Sequence, residues 1–330
     1  MDIRYLLGDA RELIKEVPGH SIATVYFDPP FNTGNDFRLN TEEDAIGFSD
    51  VFSSDNEYID LVEPILEEAR RILKPDGSLF FHISAEEMLI PHILCQKHFK
   101  KVQPIFWNRC RSKNNVKNKL GAVTDVIFWC SGKKKPKYNL VYQPLDAYYA
   151  ENSYKNKDSR GNYALGHLTY TATQKTGRDD RYYKMSIEGV DYTAPFGWRV
   201  SREGLEDLIA EDRVHIPSKN GSKLYRKIYK HESKGKPATN LWDDIHSIAM
   251  GDQERKYPTQ KPVKLVERII EMTTDLGDIV LDPMAGAGTT GVAARNLGRK
   301  ALLFEKNPDA ISIMANKFNN KTSTGELKYV

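Results

Sequence analysis
Six consecutive uncharged residues, Ile22-Ala-Thr-Val-Tyr-Phe27, run straight into Asp28-Pro29-Pro30-Phe31. Apolarity that is continuous rather than alternating predicts a strand covered on both faces, as in a parallel sheet packed between helices. Ile3 to Leu7 is a shorter apolar run ending at Gly8-Asp9, and Ala10 to Val17 has helical spacing that stops at Pro18-Gly19. The chain therefore opens β-α-β and belongs to the α/β class. The prolines fix the backbone just where the strand ends and remove two N–H donors. Their carbonyls and the Asp28 carboxylate then remain as acceptors at the rim of the sheet.

The same alternation of helix and strand can be followed further. Asn32 to Ser54 is polar and without a clean period, and reads as a long loop. Leu61, Val62, Ile65, Leu66, Ala69, Ile72 and Leu73 follow helical spacing, with Pro64 marking a first turn or a kink. Lys74-Pro75-Asp76-Gly77 ends that helix and turns into a strand over 78–83, and two more strands are predicted at 102–107 and 123–129. From Arg109 the character changes. Arg109 to Lys137 holds nine Lys/Arg against one acidic residue, and Tyr138 to Tyr192 contains ten of the 17 tyrosines. α/β character returns with an amphipathic helix over 263–273, a strand at 279–281, a helix at 292–297 closed by Gly298, and a strand at 301–304 ending on Glu305. The expected division is 1–130 and 241–330 as two halves of one α/β domain, with 131–240 inserted between them.

Asp282-Pro283-Met284-Ala285-Gly286-Ala287-Gly288-Thr289-Thr290-Gly291 joins a strand to a helix. Gly286 and Gly288 would let backbone approach a ligand, beside the free N–H groups of a helix start. Glu305, ending the next strand, is placed to accept hydrogen bonds from ribose hydroxyls. Gly286, Gly288 and Gly291 also satisfy the dinucleotide pattern G-x-G-x-x-G. The glycines alone leave a nicotinamide dinucleotide and other nucleoside ligands equally open.

Composition removes several classes. Cys95, Cys110 and Cys130 form no CxxC pair or even framework and read as reduced thiols, and the eight histidines show no paired-ligand spacing, so no metal is expected. Met1-Asp2-Ile3-Arg4 opens no apolar segment of the secretory kind, and no apolar run approaches ~18 residues, so the expected setting is the cytoplasm.

The chemistry rests on Asp28-Pro29-Pro30-Phe31. An amino group attached to a base has two N–H bonds and a delocalised, weakly nucleophilic lone pair. A carboxylate oxygen and a proline carbonyl can accept both N–H bonds and free that pair, while Phe31 stacks on the base. Such a pocket cannot reach a base inside a duplex and requires it to be flipped out. With this motif, Thr259-Gln260-Lys261-Pro262 and Asp282 to Thr290 taken together, the sequence resembles the β class of S-adenosylmethionine (SAM)-dependent DNA amino-methyltransferases. Asp28 to Phe31 matches that family's D/N/S-P-P-Y/F/W, 259–262 its T-Q-K-P, and 282–290 its D-P-F-x-G-S-G-T-T. Met284 stands where the family has Phe, and Ala287 where it has Ser. The resemblance covers roughly 1–130 and 240–330. Pro195 to Arg199 and Leu241 to Ile245 are more loosely similar to target-recognition regions of type III-like modification subunits.

The resemblance implies a Rossmann-like SAM-methyltransferase fold with a central seven-stranded, mostly parallel sheet, one strand antiparallel, plus an inserted target-recognition module. It implies restriction-modification chemistry: methyl transfer to the N6 amine of a flipped adenine in double-stranded DNA, with N4 of cytosine as the alternative. Asp28, Pro29, Pro30 and Phe31 become the catalytic group. SAM is expected at Asp9, Ala10, Asp28 and Lys261, at Asp282, Pro283, Met284, Gly286, Gly288 and Thr289 of the turn, and at Glu305 and Lys306. DNA contacts are expected from Arg109, Arg111, Lys113, Lys117 and Lys119 and from Lys133, Lys134 and Lys135, with base readers among Arg178, Arg181, Arg199 and Arg202. Methylation of cytosine carbon would need a cysteine nucleophile, which that family places after a proline, and no cysteine here follows one. Two readings from other classes are a NAD-dependent oxidoreductase and a catalytically silent DNA-binding partner subunit. A homodimer, or a restriction subunit on a separate chain, would be the protein partners.

Overall fold
The computed structural model describes residues 2–31, 35–38, 46–110, 117–118, 120–217, 223–248 and 260–318, with 35–38 and 46–49 as backbone alone. They fall into two compact units, residues 1–141 with 237–330, and residues 142–236. The second unit thus lies inside the expected 131–240 span.

The first unit is built on one sheet. Its strands are β1 (Ile3–Leu7), β2 (Ile22–Phe27), β3 (Leu73–Ser84), β4 (Lys101–Asn108), β5 (Thr124–Ser131), β6 (Leu241–Trp242), β7 (Ile279–Asp282) and β8 (Lys300–Glu305). They lie in the order β1-β8-β7-β2-β3-β5-β4-β6. β5 alone runs against the others, being antiparallel to both β3 and β4. The sheet is therefore the expected one of seven strands plus an eighth at its edge. That addition, β6, pairs Leu241 and Trp242 with Phe106 and Trp107. It lies in the 241–330 half assigned to the α/β domain, although its sequence was likened above to target-recognition regions. Trp242 is buried, the Arg268 guanidinium lies 5.1 Å from its ring, and Arg268 pairs with Asp244 at 2.9 and 2.5 Å.

Helices cover both faces because successive side chains of each central strand point to opposite sides. Val25 and Phe27 face a core that includes Val62, Ile65, Leu66 and Ala69 of α2 (Asp55–Ile72) and Leu94 of α3 (Leu89–His98). Tyr26 and Phe80 face the other core, with Leu265, Val266 and Ile269 of α4 (Val263–Thr273) and Met314 of a helix over Pro308–Phe318. Phe27, Phe80 and Phe81 are fully buried, and each contributes about 1.5–3 kcal/mol by leaving water.

Three local expectations change. Pro64 lies inside α2, which continues through it. The Lys74 to Gly77 turn is looped out of β3: Ile22 faces Leu73 while Thr24 faces Ser78. The 32–54 loop contains an antiparallel ribbon, Asn35–Arg38 against Ile46–Asp50, in which Phe37 falls opposite Phe48. No helix among the described residues is long and apolar enough to cross a membrane.

The second unit holds a four-stranded antiparallel sheet, including Gly161–His167 against Tyr225–Tyr229, and a hairpin of Lys184–Ile187 with Val190–Thr193. Its core gathers Leu168, Tyr192, Trp198, Leu205 and Leu224.

Candidate functional site
Four neighbouring parallel strands each deliver an acid at the same edge of the sheet: Asp9 after β1, Glu305 at the end of β8, Asp282 at the end of β7, and Asp28 after β2. This carboxyl edge is where open α/β sheets bind ligands.

The outer two acids are paired with cations. Asp9 caps the short helix α1 (Ala10–Leu13) by accepting from the Arg11 N–H at 2.9 Å, and it takes the Arg11 side chain at 3.0 and 2.7 Å. Those bonds, with Lys306 at 3.9 Å, hold its carboxyl at about 2, against the rise that burial alone would cause. Ala10 is buried behind it and Lys306 reaches into solvent. Asp28 accepts from the Lys261 ammonium with both oxygens, at 2.8 and 2.6 Å. Both side chains are largely covered, at 10% exposure for Lys261 and 20% for Asp28. The same ammonium stands 4.8 Å from the centroid of the Phe31 ring, within range of a cation–π attraction. Lys261 thus touches both polar and aromatic members of the motif. Pro29 is buried and Pro30 half-buried between them.

The inner two acids are bound by hydroxyl and backbone donors. The Asp282 carboxylate accepts from the Thr290 hydroxyl at 2.5 Å and the Met284 N–H at 3.0 Å, so both oxygens serve the turn itself. Burial pushes its carboxyl up to about 7, despite those two bonds, with Asp28 and Glu305 adding to the rise. Glu305 accepts from the Gly286 N–H and the Asn307 N–H, each at 2.8 Å, and burial raises it as well. The turn's glycines divide in role. Gly288 has φ +75°, and a Cβ there would meet Met314 Cγ at 2.8 Å. It is glycine so that the helix α5 (Thr289–Asn296) can start against a neighbouring helix. Close packing accounts for glycine at 288, while the Gly286 N–H is bonded to Glu305. Pro283 and Thr289 are buried and Met284 is half-buried against the β2 core.

Behind Asp28 lies a buried polar chain that sequence reasoning missed. His82, fully buried in β3, bonds the Tyr26 hydroxyl through Nδ1 at 2.7 Å and Asp125 through Nε2 at 3.3 Å. Its ring lies 5.7 Å from Phe31 and 5.4 Å from Trp107. Arg109 follows, its Nε 3.3 Å from Asp125. The available signal was a lone histidine inside the apolar run Leu79-Phe-Phe-His-Ile83, and a lone acid opening Val126-Ile-Phe-Trp129.

The basic residues separate. Arg109 turns inward to Asp125 and the Ala122 carbonyl. Lys117 is exposed, and Arg111, Lys113 and Lys119 lie outside the described residues, as does Thr259 of the Thr259–Pro262 motif. Lys133, Lys134 and Lys135 are exposed but follow β5, the strand that runs backwards. Ser131 lies opposite Ser78, about 13 Å back along the sheet from His82 at ~3.3 Å per residue. The Lys137 N–H bonds the Asp76 carbonyl there. These three lysines therefore lie toward the sheet edge opposite Asp28. In the second unit Arg178 and Arg181 pair with Asp180, Arg199 bonds Gln174 and covers Tyr170, and Arg202 covers Tyr183. Trp198, from the Pro195 to Arg199 segment, is a core residue whose indole N–H donates to the Tyr183 carbonyl.

Three comparisons bear on this geometry. A family model for N6/N4 methyltransferases, described as DNA methylase, matches residues 22–317. The Mod subunit of the type III restriction-modification enzyme StyLTI of Salmonella typhimurium is 26% identical over 337 residues, covering 90% of this chain and 50% of that protein. The chain thus spans half the length of that relative. The DNA adenine methyltransferase YhdJ of Escherichia coli is 27% identical over 307 residues, covering 93% of this chain and 79% of that one. Among solved structures, the PvuII DNA methyltransferase, described as cytosine-N4-specific, shares the fold with a TM-score of 0.54 at 17% identity, over 99% of this chain and 90% of that one.

Proposed function
Since this chain belongs to the N6/N4 DNA methylase family, we propose that it methylates the exocyclic N6 amine of a flipped adenine in duplex DNA, using SAM. The observation that carries this reading is a juxtaposition. Asp28, Lys261 and Phe31 form one cluster at the end of β2, and the acid-lined glycine turn ends the adjacent strand β7.

The charge of the edge supports the cofactor. Asp9, Asp28, Asp282 and Glu305 line this edge with carboxyl groups, which suits a ligand with a sulfonium and an ammonium. An anionic pyrophosphate would face those acids, and the Gly286 N–H that should bind it is donated to Glu305. This argues against the nicotinamide dinucleotide that the glycine spacing left open. When bound, SAM supplies an electrophilic methyl, and the products are the methylated amine, S-adenosylhomocysteine and one proton.

The chain's own residues prepare the amine. An Asp28 oxygen accepts one N–H bond of the base, so that the nitrogen lone pair is freed. A carboxylate has about four acceptor positions, so Asp28 can keep one contact with Lys261 while serving the base. Phe31 stacks on the ring. Lys261 holds the carboxylate in place until the base arrives. Adenine over cytosine is supported by the Asp-type motif and by the relative named as an adenine methyltransferase.

The test is expression in cells free of DNA methylation, followed by sequencing of their DNA with detection of modified bases. N6-methyladenine at a fixed sequence is expected. N4-methylcytosine would overturn the adenine assignment, and unmodified DNA from cells containing folded, SAM-binding protein would overturn the reaction.

A further inference from the structure
We propose that His82, held by Tyr26 and Asp125, is a positioning residue for the base-presenting motif, and that Arg109 completes this support instead of contacting DNA. The proposal rests on the base-methylation reading above and deepens it. His82 is fully buried, yet both ring nitrogens have polar partners, Tyr26 on one side and Asp125 on the other. A buried imidazole satisfied at both ends is fixed in orientation as well as in place. What it is fixed against is the motif: Phe31 lies 5.7 Å away by ring centroids, and Asp28 Oδ1 lies 4.0 Å from Nδ1.

The tautomer follows from the neighbours. Burial pushes the Asp125 carboxyl up, but the hydrogen bond with His82 and the nearby charges of Arg109 and Lys261 outweigh it and hold the group below its usual range. Asp125 is then an acceptor, and Nε2 carries the hydrogen that meets it. Burial holds the Tyr26 phenol protonated, so its O–H donates to the Nδ1 lone pair. Tyr26, His82 and Asp125 belong to β2, β3 and β5, so the chain of bonds ties three adjacent strands together just beneath Asp28.

Arg109 closes the chain from outside. Its Nε and Asp125 Oδ1 are both buried, 3.3 Å apart, and neither has a hydrogen-bond partner within good geometry. Its terminal nitrogen donates to the Ala122 carbonyl, and its own backbone N–H and carbonyl bond Val123 and Ser247. With 28% of its side chain exposed, this guanidinium is committed mainly to protein acceptors.

The experiment compares His82→Phe, His82→Gln and Arg109→Gln in the full chain. Methyl transfer from labelled SAM into unmethylated genomic DNA gives kcat and KM, beside SAM affinity and the salt dependence of DNA binding. His82→Phe keeps the ring but loses both bonds, and kcat should fall about 10- to 100-fold, as for a slightly misplaced reacting group, with SAM affinity unchanged. His82→Gln, whose amide can donate to Asp125, should recover part of that loss. Arg109→Gln should lower kcat and leave the salt slope of DNA binding intact, whereas a lost phosphate contact would reduce it by about 0.9. Wild-type kcat in a folded His82→Phe, or equal loss of SAM affinity and kcat, would overturn the positioning role. If His82→Phe does not fold, a reduced salt slope or unchanged kcat in Arg109→Gln decides against the proposal. A wild-type chain that binds SAM and leaves DNA unmodified would fail the base-methylation reading itself, and this inference with it.

Discussion

Asp28-Pro29 and Asp282-Pro283 are the same dipeptide at the ends of adjacent parallel strands, and the fold uses them in opposite ways. Asp282 is buried, and both its oxygens are taken by its own turn, through Thr290 and Met284. Asp28 is partly open, and its oxygens meet an ammonium 233 residues away in sequence. Local donors make the first a structural cap. A distant, displaceable cation makes the second available for chemistry. Residue type and strand position do not distinguish them; the source of the hydrogen-bond donors does.

Substituting alanine at each position tests the contrast most severely. Asp28→Ala should lower kcat by at least about 100-fold, the scale of removing one preorganised polar group from a transition state. Its SAM affinity should change little, and its stability by less than that of the second variant. Asp282→Ala leaves a buried hydroxyl and a buried N–H without their acceptor, and should cost about 2–4 kcal/mol in denaturant unfolding. Reversal of the two outcomes, with Asp28→Ala unstable but active, would break the comparison.

A gentler substitution sharpens it through pH. Folding raises the Asp282 carboxyl from 3.8 to about 7, so the folded protein holds a proton that the unfolded chain releases near pH 4. The resulting stabilisation is fully present below about pH 4 and is lost as pH rises toward 7. Asp282→Asn does not titrate. Its melting temperature relative to wild type should therefore rise across that interval, by an amount equivalent to a few kcal/mol at most. A constant difference between pH 4 and 7 would show that Asp282 is ionised in the fold throughout.

How much of this could be read beforehand depends on burial. The central strands were legible because both faces are covered, which leaves an unbroken apolar run such as Ile22 to Phe27. Gly161–His167 buries only Tyr163 among half-buried and exposed positions, and its polar side hides it among tyrosines and lysines. The helix Leu89–His98 leaves Leu89 and Ile93 exposed, at 71% and 64%, so it shows no clean apolar stripe. The motif residues Asp28, Phe31 and Lys261 could each be named from sequence, because their types and order are distinctive. Their contacts could not: nothing in the order of the motifs tells that Lys261 meets Asp28 or that both Asp282 oxygens bond within their own turn. His82 and Asp125 meet only because β3 and β5 are antiparallel neighbours, which no spacing records.

The reversed direction of β5 also decides the smallest effect. A run of three lysines in a chain of a DNA methylase family invites a phosphate-binding role, and composition alone supports it. Strand direction opposes it, because a chain leaving the far end of β5 starts at the edge away from Asp28. Three phosphate contacts would make binding steeply salt-dependent, and their loss would remove nearly 3 from the slope of log K against log salt. Replacing Lys133, Lys134 and Lys135 with glutamate should change that slope by less than about 1. A larger change would mean that DNA reaches round to the amino edge, and that the polar contrast between the two ends of the sheet is not the boundary of the binding surface.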